Sequence, residues 1–174
     1  EIKLQNPKTF YREQKMKNYS IIIPIYNEAK ILESQIKRII KGLDNLKLPL
    51  KYEILLVENG SRDNTCSIIA RLAKKNKKIR RICLPFPSYG QAFKQGVFQA
   101  SYPYVFQFDI DFWDIDFIKK AQKLLANKDF VIGSKNLNNS SDNRPLVRKL
   151  ISKILEKLID LRFQINLTDT HGLK

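Results

Sequence analysis

Asp109 and Asp111 stand one residue apart at the end of the apolar run Phe106-Gln107-Phe108. In an extended backbone, alternate side chains share a face, so the two carboxylates are expected to point the same way. Like charges at that spacing repel unless a cation sits between them. A hard divalent ion, Mg²⁺ or Mn²⁺, takes oxygen ligands and commonly shares them with substrate phosphates. The pair therefore predicts a metal held beside a diphosphate, with Asp109 and Asp111 as its ligands. Two further polar clusters, Asn27-Glu28 and Glu58-Asn59, also follow apolar runs.

Apolar patterning predicts strands over 19–25, 52–57, 79–84, 104–108 and 130–133. Helices are expected between them. The first is capped by Asn27, with Glu28 in its first turn, and carries Ile36, Ile39, Ile40 and Leu43. The second is marked by Ile68, Ile69 and Leu72, with Asp63 as its expected cap. Others are expected over 89–100 and 117–126, the latter started favourably by Asp114 and Asp116. A last helix should run from Pro145, which suits a first turn, to about 161. This alternation implies right-handed βαβ units and a mainly parallel sheet. Such sheets bind ligands at the carboxyl ends of their strands, near a switch in strand order. The polar clusters all fall just after strands, which points to one site. No Gly-x-Gly-x-x-Gly and no Walker-type loop is present, which argues against a nicotinamide dehydrogenase or a P-loop ATPase.

The chain has 174 residues and is 43% hydrophobic, enough for one domain with a real core. Lys and Arg number 32 against 17 Asp and Glu, a net charge of +15. That surplus suits nucleic acid, an anionic membrane face or a phosphorylated substrate. The basic residues are spread along the chain and no RNA-binding or zinc-finger pattern occurs, so no nucleic acid partner is expected. Cys66 and Cys83 lie far apart in sequence and form no metal or redox spacing; they read as reduced core residues in a cytosolic setting. No apolar run approaches the ~20 residues of a membrane span. Residues 1–18 are polar and basic and read as an N-terminal extension, without the features of a signal peptide.

Several pieces, in order, resemble the family 2 glycosyltransferases of the α/β GT-A fold. They are Ile23-Pro24-Ile25-Tyr26-Asn27-Glu28, then Val57-Glu58-Asn59-Gly60-Ser61-Arg62-Asp63-Asn64-Thr65, Gly90-x-Ala92-x-x-x-Gly96 and Asp109-Ile110-Asp111. Val131-Ile132-Gly133-Ser134-Lys135 and Asp169-Thr170-His171-Gly172-Leu173-Lys174 follow. The last two pieces resemble in particular the branch that makes polyprenyl-phosphate sugars, such as dolichyl-phosphate glucosyl- and mannosyltransferases. The resemblance covers 19–174. In that branch a membrane-associated region often follows, and here it would lie beyond Lys174, so the domain is expected to be incomplete at its C-terminus. The pattern is departed from in places. Asn59 stands where a second acid is frequent, Trp113 where that branch commonly places Gln, and Lys135 where Arg often stands; Lys keeps the charge but loses the bidentate fork.

The resemblance implies an inverting transfer of a sugar from a UDP- or GDP-sugar to a polyprenyl phosphate, at the cytoplasmic face of a membrane. Asp111, helped by Asp109 and the metal, would neutralise the departing diphosphate. Pro24 and Tyr26 would shape the donor pocket, with Glu28, Glu58, Asp109 and Lys135 also lining it; Glu58 would contact the nucleoside. Arg144 and Arg148 would hold the acceptor phosphate, Arg148 close to the chemistry. An acceptor phosphate needs no protein base. A saccharide hydroxyl would need one, and Asp169 is then the candidate; the lone histidine, His171, is not expected to fill that role. Gly90, Ala92 and Gly96 read as packing residues. Val147, Leu150, Ile151, Ile154, Leu155 and Leu158 form an apolar stripe opposite Lys149, Lys153 and Lys157, suited to packing on the domain or to an anionic membrane. The alternatives are transfer to a saccharide hydroxyl, a nucleotidyltransferase of similar fold, a basic nucleic-acid-binding domain and a non-catalytic binding domain.

Overall fold

A computed structural model of the chain describes residues 18–48, 50–125, 128–133 and 146–163. The chain divides into two units, Glu1–Val131 and Ile132–Lys174. The first unit holds strands β1 (Asn18–Ile25), β2 (Lys51–Asn59), β3 (Ile79–Leu84) and β4 (Tyr104–Gln107), and helices α1 (Leu32–Asn45), α2 (Thr65–Lys75), α3 (Tyr89–Gln99) and α4 (Ile115–Leu124). The second holds helix α5 (Leu146–Phe163).

The strands form one parallel sheet in the order β3-β2-β1-β4. Its central strands are apolar on both faces, as a sheet covered on two sides requires. Ile21, Ile23, Ile54 and Leu56 face a core built with Leu32, Ile36, Ile39, Leu43, Ile69 and Ile118 of α1, α2 and α4. Ile22, Leu55, Val57 and Ile82 face the other way, against Ala92 of α3. Gly96 of α3 passes so close to β1 that a Cβ there would lie 2.4 Å from Ile22 Cγ2. The expected packing role thus holds for Ala92 and Gly96. Gly90 is exposed, and a Cβ there would meet nothing within 4 Å.

At the amino end of the sheet a buried carboxylate ties the strands together. Glu53 of β2 is 6% exposed. It accepts from Ser20 Oγ of β1 at 2.7 Å, from Arg80 of β3 at 2.9 Å and from the Ser101 amide before β4 at 2.5 Å. Ser20 Oγ in turn accepts from the Tyr102 amide at 3.2 Å.

Three expectations are corrected. Asn27 does not cap α1, which begins at Leu32 after a turn over 29–31; Asn27 has φ 56°, a left-handed conformation that Asn tolerates. No strand forms over 130–133, so the described sheet has four strands rather than five. The cysteines are not core residues: Cys66 is partly buried and Cys83 exposed, both are free, and they lie near one another.

In α5 the apolar side chains of Val147, Leu150, Ile151, Ile154, Leu155, Leu158 and Leu161 are exposed, as are Lys153 and Lys157, while Ile159 is partly buried. Among the described residues, no helix is long and apolar enough to cross a membrane.

Candidate active site

The order β3-β2-β1-β4 contains a switch point. From β1 the chain moves outward to β2 and β3, then returns to place β4 on the other side of β1. The loops after β1 and β4 therefore stand side by side at the carboxyl ends of adjacent strands, where such sheets bind ligands, with a crevice between them. The loop after β1 carries Tyr26, Asn27 and Glu28; the loop after β4 carries Asp109 and Asp111.

The first loop is held by the loop after β2 through reciprocal hydrogen bonds. The Asn27 amide donates to Ser61 Oγ at 3.0 Å, the Glu28 amide to Thr65 Oγ1 at 2.9 Å and the Ala29 amide to Asp63 Oδ2 at 3.2 Å. In return the Arg62 amide donates to Asn27 Oδ1 at 2.8 Å. These partners replace the cap expected of Asn27. Asp63 meets its expected duty only in part. Asn64 occupies the cap position without a side-chain bond, while Asp63 Oδ1 accepts from the first amide of α2, that of Thr65, at 3.0 Å. The Thr65 hydroxyl, then that amide and the Ala29 amide, hold the Asp63 carboxyl below its usual range.

Glu58 closes the second loop. Its Oε1 accepts from the Ser61 amide at 2.5 Å, and the residue is 5% exposed. The tight path here needs Gly60: its φ is +70°, and a Cβ would come within 2.9 Å of the Phe86 carbonyl carbon. Asn59, on the opposite face, accepts from the Ser88 amide at 2.6 Å and so fixes the start of α3.

The paired aspartates are not presented by a strand. β4 stops at Gln107, and the chain closes a turn in which the Asp109 and Phe112 backbones bond reciprocally, both at 3.2 Å. Asp109 is half-buried and Asp111 exposed. Tyr89, the first residue of α3, donates its hydroxyl to Asp109 Oδ1 at 2.8 Å, and the Gln107 side-chain amide donates to that same hydroxyl. The Tyr89 ring is half exposed, yet its hydroxyl sits between these two partners. Burial, then the Asp109 carboxylate, pushes it well above the usual phenol range. Gln107 Oε1 is buried without a partner among the described residues. Trp113, the departure from the family pattern, is used structurally: its Nε1 donates to Gln35 at 3.2 Å and its ring lies 5.4 Å from the Arg38 guanidinium. Asp114 caps α4 by accepting from the Asp116 amide at 2.8 Å, as expected.

Among the described residues, the crevice carboxylates lack ion-pair partners. Burial, then Asp111, then Asp63, raises the Glu28 carboxyl above its usual range. Glu28 and Asp111 therefore sense each other across the crevice. Among the described residues, no ion pair involves Glu28, Asp109 or Asp111. Oxygen donors with uncompensated negative charge fit a hard divalent ion, so the donor set agrees with the Mg²⁺ or Mn²⁺ expected from the sequence.

Pro24 is buried at the end of β1 and Tyr26 is exposed on the crevice loop. Lys135, Arg144, Asp169 and His171 lie outside the described residues, and Arg148 is described only as a backbone position on α5. Sequence reasoning missed Tyr89 and Gln107. Tyr89 adjoins the recognised Gly90-x-Ala92 piece, but nothing in its spacing ties it to Asp109. It also missed the Ser61–Asp63–Thr65 clasp on the 27–29 loop, which pairs segments more than 30 positions apart.

Residues 20–173 match the family model described as glycosyl transferase family 2. Among curated relatives, the undecaprenyl-phosphate 4-deoxy-4-formamido-L-arabinose transferase of Pectobacterium carotovorum subsp. carotovorum (strain PC1) is 30% identical, over 83% of this chain and 43% of its own. The dolichyl-phosphate beta-glucosyltransferase ALG5D of Trichomonas vaginalis is 28% identical, over 89% and 50%. The poly-beta-1,6-N-acetyl-D-glucosamine synthase of Staphylococcus epidermidis is 31% identical, over 74% and 31%. The chain thus spans half or less of the length of these relatives. In structure it is similar to S. aureus TarS 1-349 in complex with UDP, with a TM-score of 0.52 at 22% identity over 74% of this chain and 38% of that one. This bears out the GT-A fold expected from the sequence.

Proposed function

The chain belongs to glycosyl transferase family 2, and from that premise we propose that it moves a sugar from a nucleotide-diphosphate sugar to a polyprenyl phosphate, with inversion. The observation that carries the reading is the placement of Glu28 after β1 and of Asp109 and Asp111 after the adjacent β4, carboxylates without ion-pair partners among the described residues, with Asp111 contributing to the raised Glu28 carboxyl. Asp109 and Asp111 would hold Mg²⁺ or Mn²⁺, which when bound supplies Lewis-acid stabilisation of the leaving diphosphate. Tyr89 orients Asp109 for that duty. Pro24 and Tyr26 bound the donor pocket, and Glu58 and Lys135 contact the donor. UDP in the complex of TarS, a protein of similar fold, supports a nucleotide-bearing donor.

An acceptor phosphate is ionised at neutral pH, so its oxygen can attack the anomeric carbon as the bond to the diphosphate breaks. No residue need take a proton. The burden is instead charge: two phosphorylated reactants must approach, and Arg144, Arg148 and Lys135 offset that repulsion. Two of the relatives described above are named for undecaprenyl- or dolichyl-phosphate, which supports this acceptor class. The exposed apolar and lysine side chains of α5 suit an anionic bilayer, at up to ~1 kcal/mol per basic residue.

A second reading has support of its own in the similarity to a polysaccharide synthase. There the acceptor is a saccharide hydroxyl, and Asp169 serves as base.

A thermal-shift panel of UDP- and GDP-sugars with Mg²⁺ or Mn²⁺ identifies the donor, because a ligand that binds only the folded state raises apparent stability. Asp111→Asn should abolish both metal-dependent stabilisation and turnover while the unliganded melting temperature holds; full turnover in that variant, or in EDTA, defeats the metal assignment. Transfer to a short polyprenyl phosphate separates the acceptors. Transfer only to a saccharide hydroxyl overturns the first reading in favour of the second.

A further inference from the structure

Strand register places Glu58 of β2 directly beside Cys83 of β3. Cys66, the second residue of α2, comes down on the same pair. One Glu58 carboxylate oxygen and the two sulfurs all lie within 4.8 Å of one another. Three elements separated in sequence thus converge on one point, at the carboxyl ends of β2 and β3. We propose that Glu58, Cys66 and Cys83 form a second cation site, selective for a thiophilic divalent ion of the zinc class, and that filling it takes Glu58 away from the donor pocket. The latter half rests on the reading of Glu58 as a nucleoside contact.

The ligand set decides the ion. Two thiolates and a carboxylate suit Zn²⁺ or Cd²⁺ and are a poor match for Mg²⁺. Tetrahedral zinc with bonds of about 2.3 Å to sulfur needs ligand atoms roughly 3.8 Å apart, so the observed cluster requires only small side-chain shifts. The burial is graded: Glu58 is buried, Cys66 partly buried and Cys83 exposed. Three protein ligands with one exposed side leave a fourth position for water, the pattern of an exchangeable ion rather than a closed structural one. Burial pushes the Cys83 thiol up, with Cys66 and Glu58 acting the same way and Arg81 opposing them. Uptake of the ion must therefore displace thiol protons to solvent.

The coupling runs through the backbone. Glu58 Oε1 holds the Ser61 amide, and Ser61 Oγ holds the Asn27 amide beside Glu28. Drawing the Glu58 carboxylate toward an ion pulls on the loop that supports the crevice.

Co²⁺ is the probe, added at one equivalent to the reduced chain. The expected result is a thiolate-to-cobalt charge-transfer band in the near ultraviolet, displaced by equimolar Zn²⁺ and unaffected by excess Mg²⁺. The band should vanish in Cys66→Ser and in Cys83→Ser, each checked for folding by melting temperature, and persist in Asp111→Asn. Absence of the band, or its survival in either serine variant, overturns the site. In the second arm, UDP binding in Mg²⁺ should weaken at least tenfold when one equivalent of Zn²⁺ is present. Unchanged UDP affinity beside an intact band overturns the coupling alone. A band with no binding of either UDP or GDP under any condition condemns the donor reading and leaves the metal site standing.

Discussion

Tyr89 shows how a single side chain positions a carboxylate proposed as a metal ligand. It fixes Asp109 by one hydrogen bond and is itself fixed by Gln107. Partners of this kind are typically worth 10–100-fold in metal affinity. Tyr89→Phe should therefore weaken Mn²⁺ binding about tenfold or more in a calorimetric titration, with little change in melting temperature. An unaltered affinity would show that Asp109 needs no support. Glu28 makes a pH-dependent prediction. Its folded carboxyl is raised by burial, Asp111 and Asp63, so its contribution to stability is present below the usual glutamate range and is lost as pH rises through the raised value. Above that range its charge adds to the repulsion from Asp111 and Asp63 and attracts a cation. Mn²⁺ affinity should fall as the pH drops from neutrality through the raised Glu28 value, and Glu28→Gln should flatten the dependence. The paired carboxylates were legible in the sequence because acids after apolar runs are conspicuous. Their presentation was not: extended spacing suggested a shared face, whereas a turn from Asp109 to Phe112 carries them. Turn closure depends on backbone bonds that composition does not record.

The elements were read from periodicity, and where apolar pattern alone decides the outcome the reading holds. β3 spans the residues expected, and α3 differs by its last residue. The failures lie where tertiary partners override local preference. Asn27 followed by Glu28 is a good helix start in isolation, but its neighbouring amides are taken by Ser61, Thr65 and Asp63, so α1 begins later. Residues 130–133 have the composition of a strand without a pairing partner described for them. Small residues in α3 could be recognised as packing residues, but only the structure separates Gly96, pressed on Ile22, from exposed Gly90. Gly96→Ala should cost roughly 1–3 kcal/mol of overpacking, offset in part by about 1 kcal/mol of helix propensity. A net fall in melting temperature is expected, while Gly90→Ala should leave it level or raise it. Equal behaviour of the two variants would refute close packing at Gly96.

For the whole molecule the parallel sheet followed from the alternation of elements, but the strand order that creates the crevice did not, because spatial neighbours need not be sequential. The Glu53 network was equally hidden, since its members come from Ser20, Arg80 and Ser101. Burial pushes the Glu53 carboxyl up, but bonds from Ser20, the Ser101 amide and Arg80 outweigh it, and the net position is below the usual range. Its stabilisation is therefore present above the unfolded value and lost as pH falls through the folded one. Glu53→Gln should cost roughly 1.5–3 kcal/mol at neutral pH and shallow the acid limb of the stability curve; an unchanged acid limb would remove Glu53 from the balance. The same sheet has a weak seam. β1 registers on β2 over its whole length, but β4 joins β1 only from Tyr19↔Tyr104 to Ile22↔Gln107, followed by a bond from the Phe108 amide to the Ile22 carbonyl. Glu28 lies on one side of that short seam and Asp111 on the other. A local opening that peels β4 away would dismantle the crevice while most of the core stayed intact. An ion and a nucleotide spanning both sides would act as a clasp, so amide exchange at Phe106 and Phe108 becomes a gauge of occupancy.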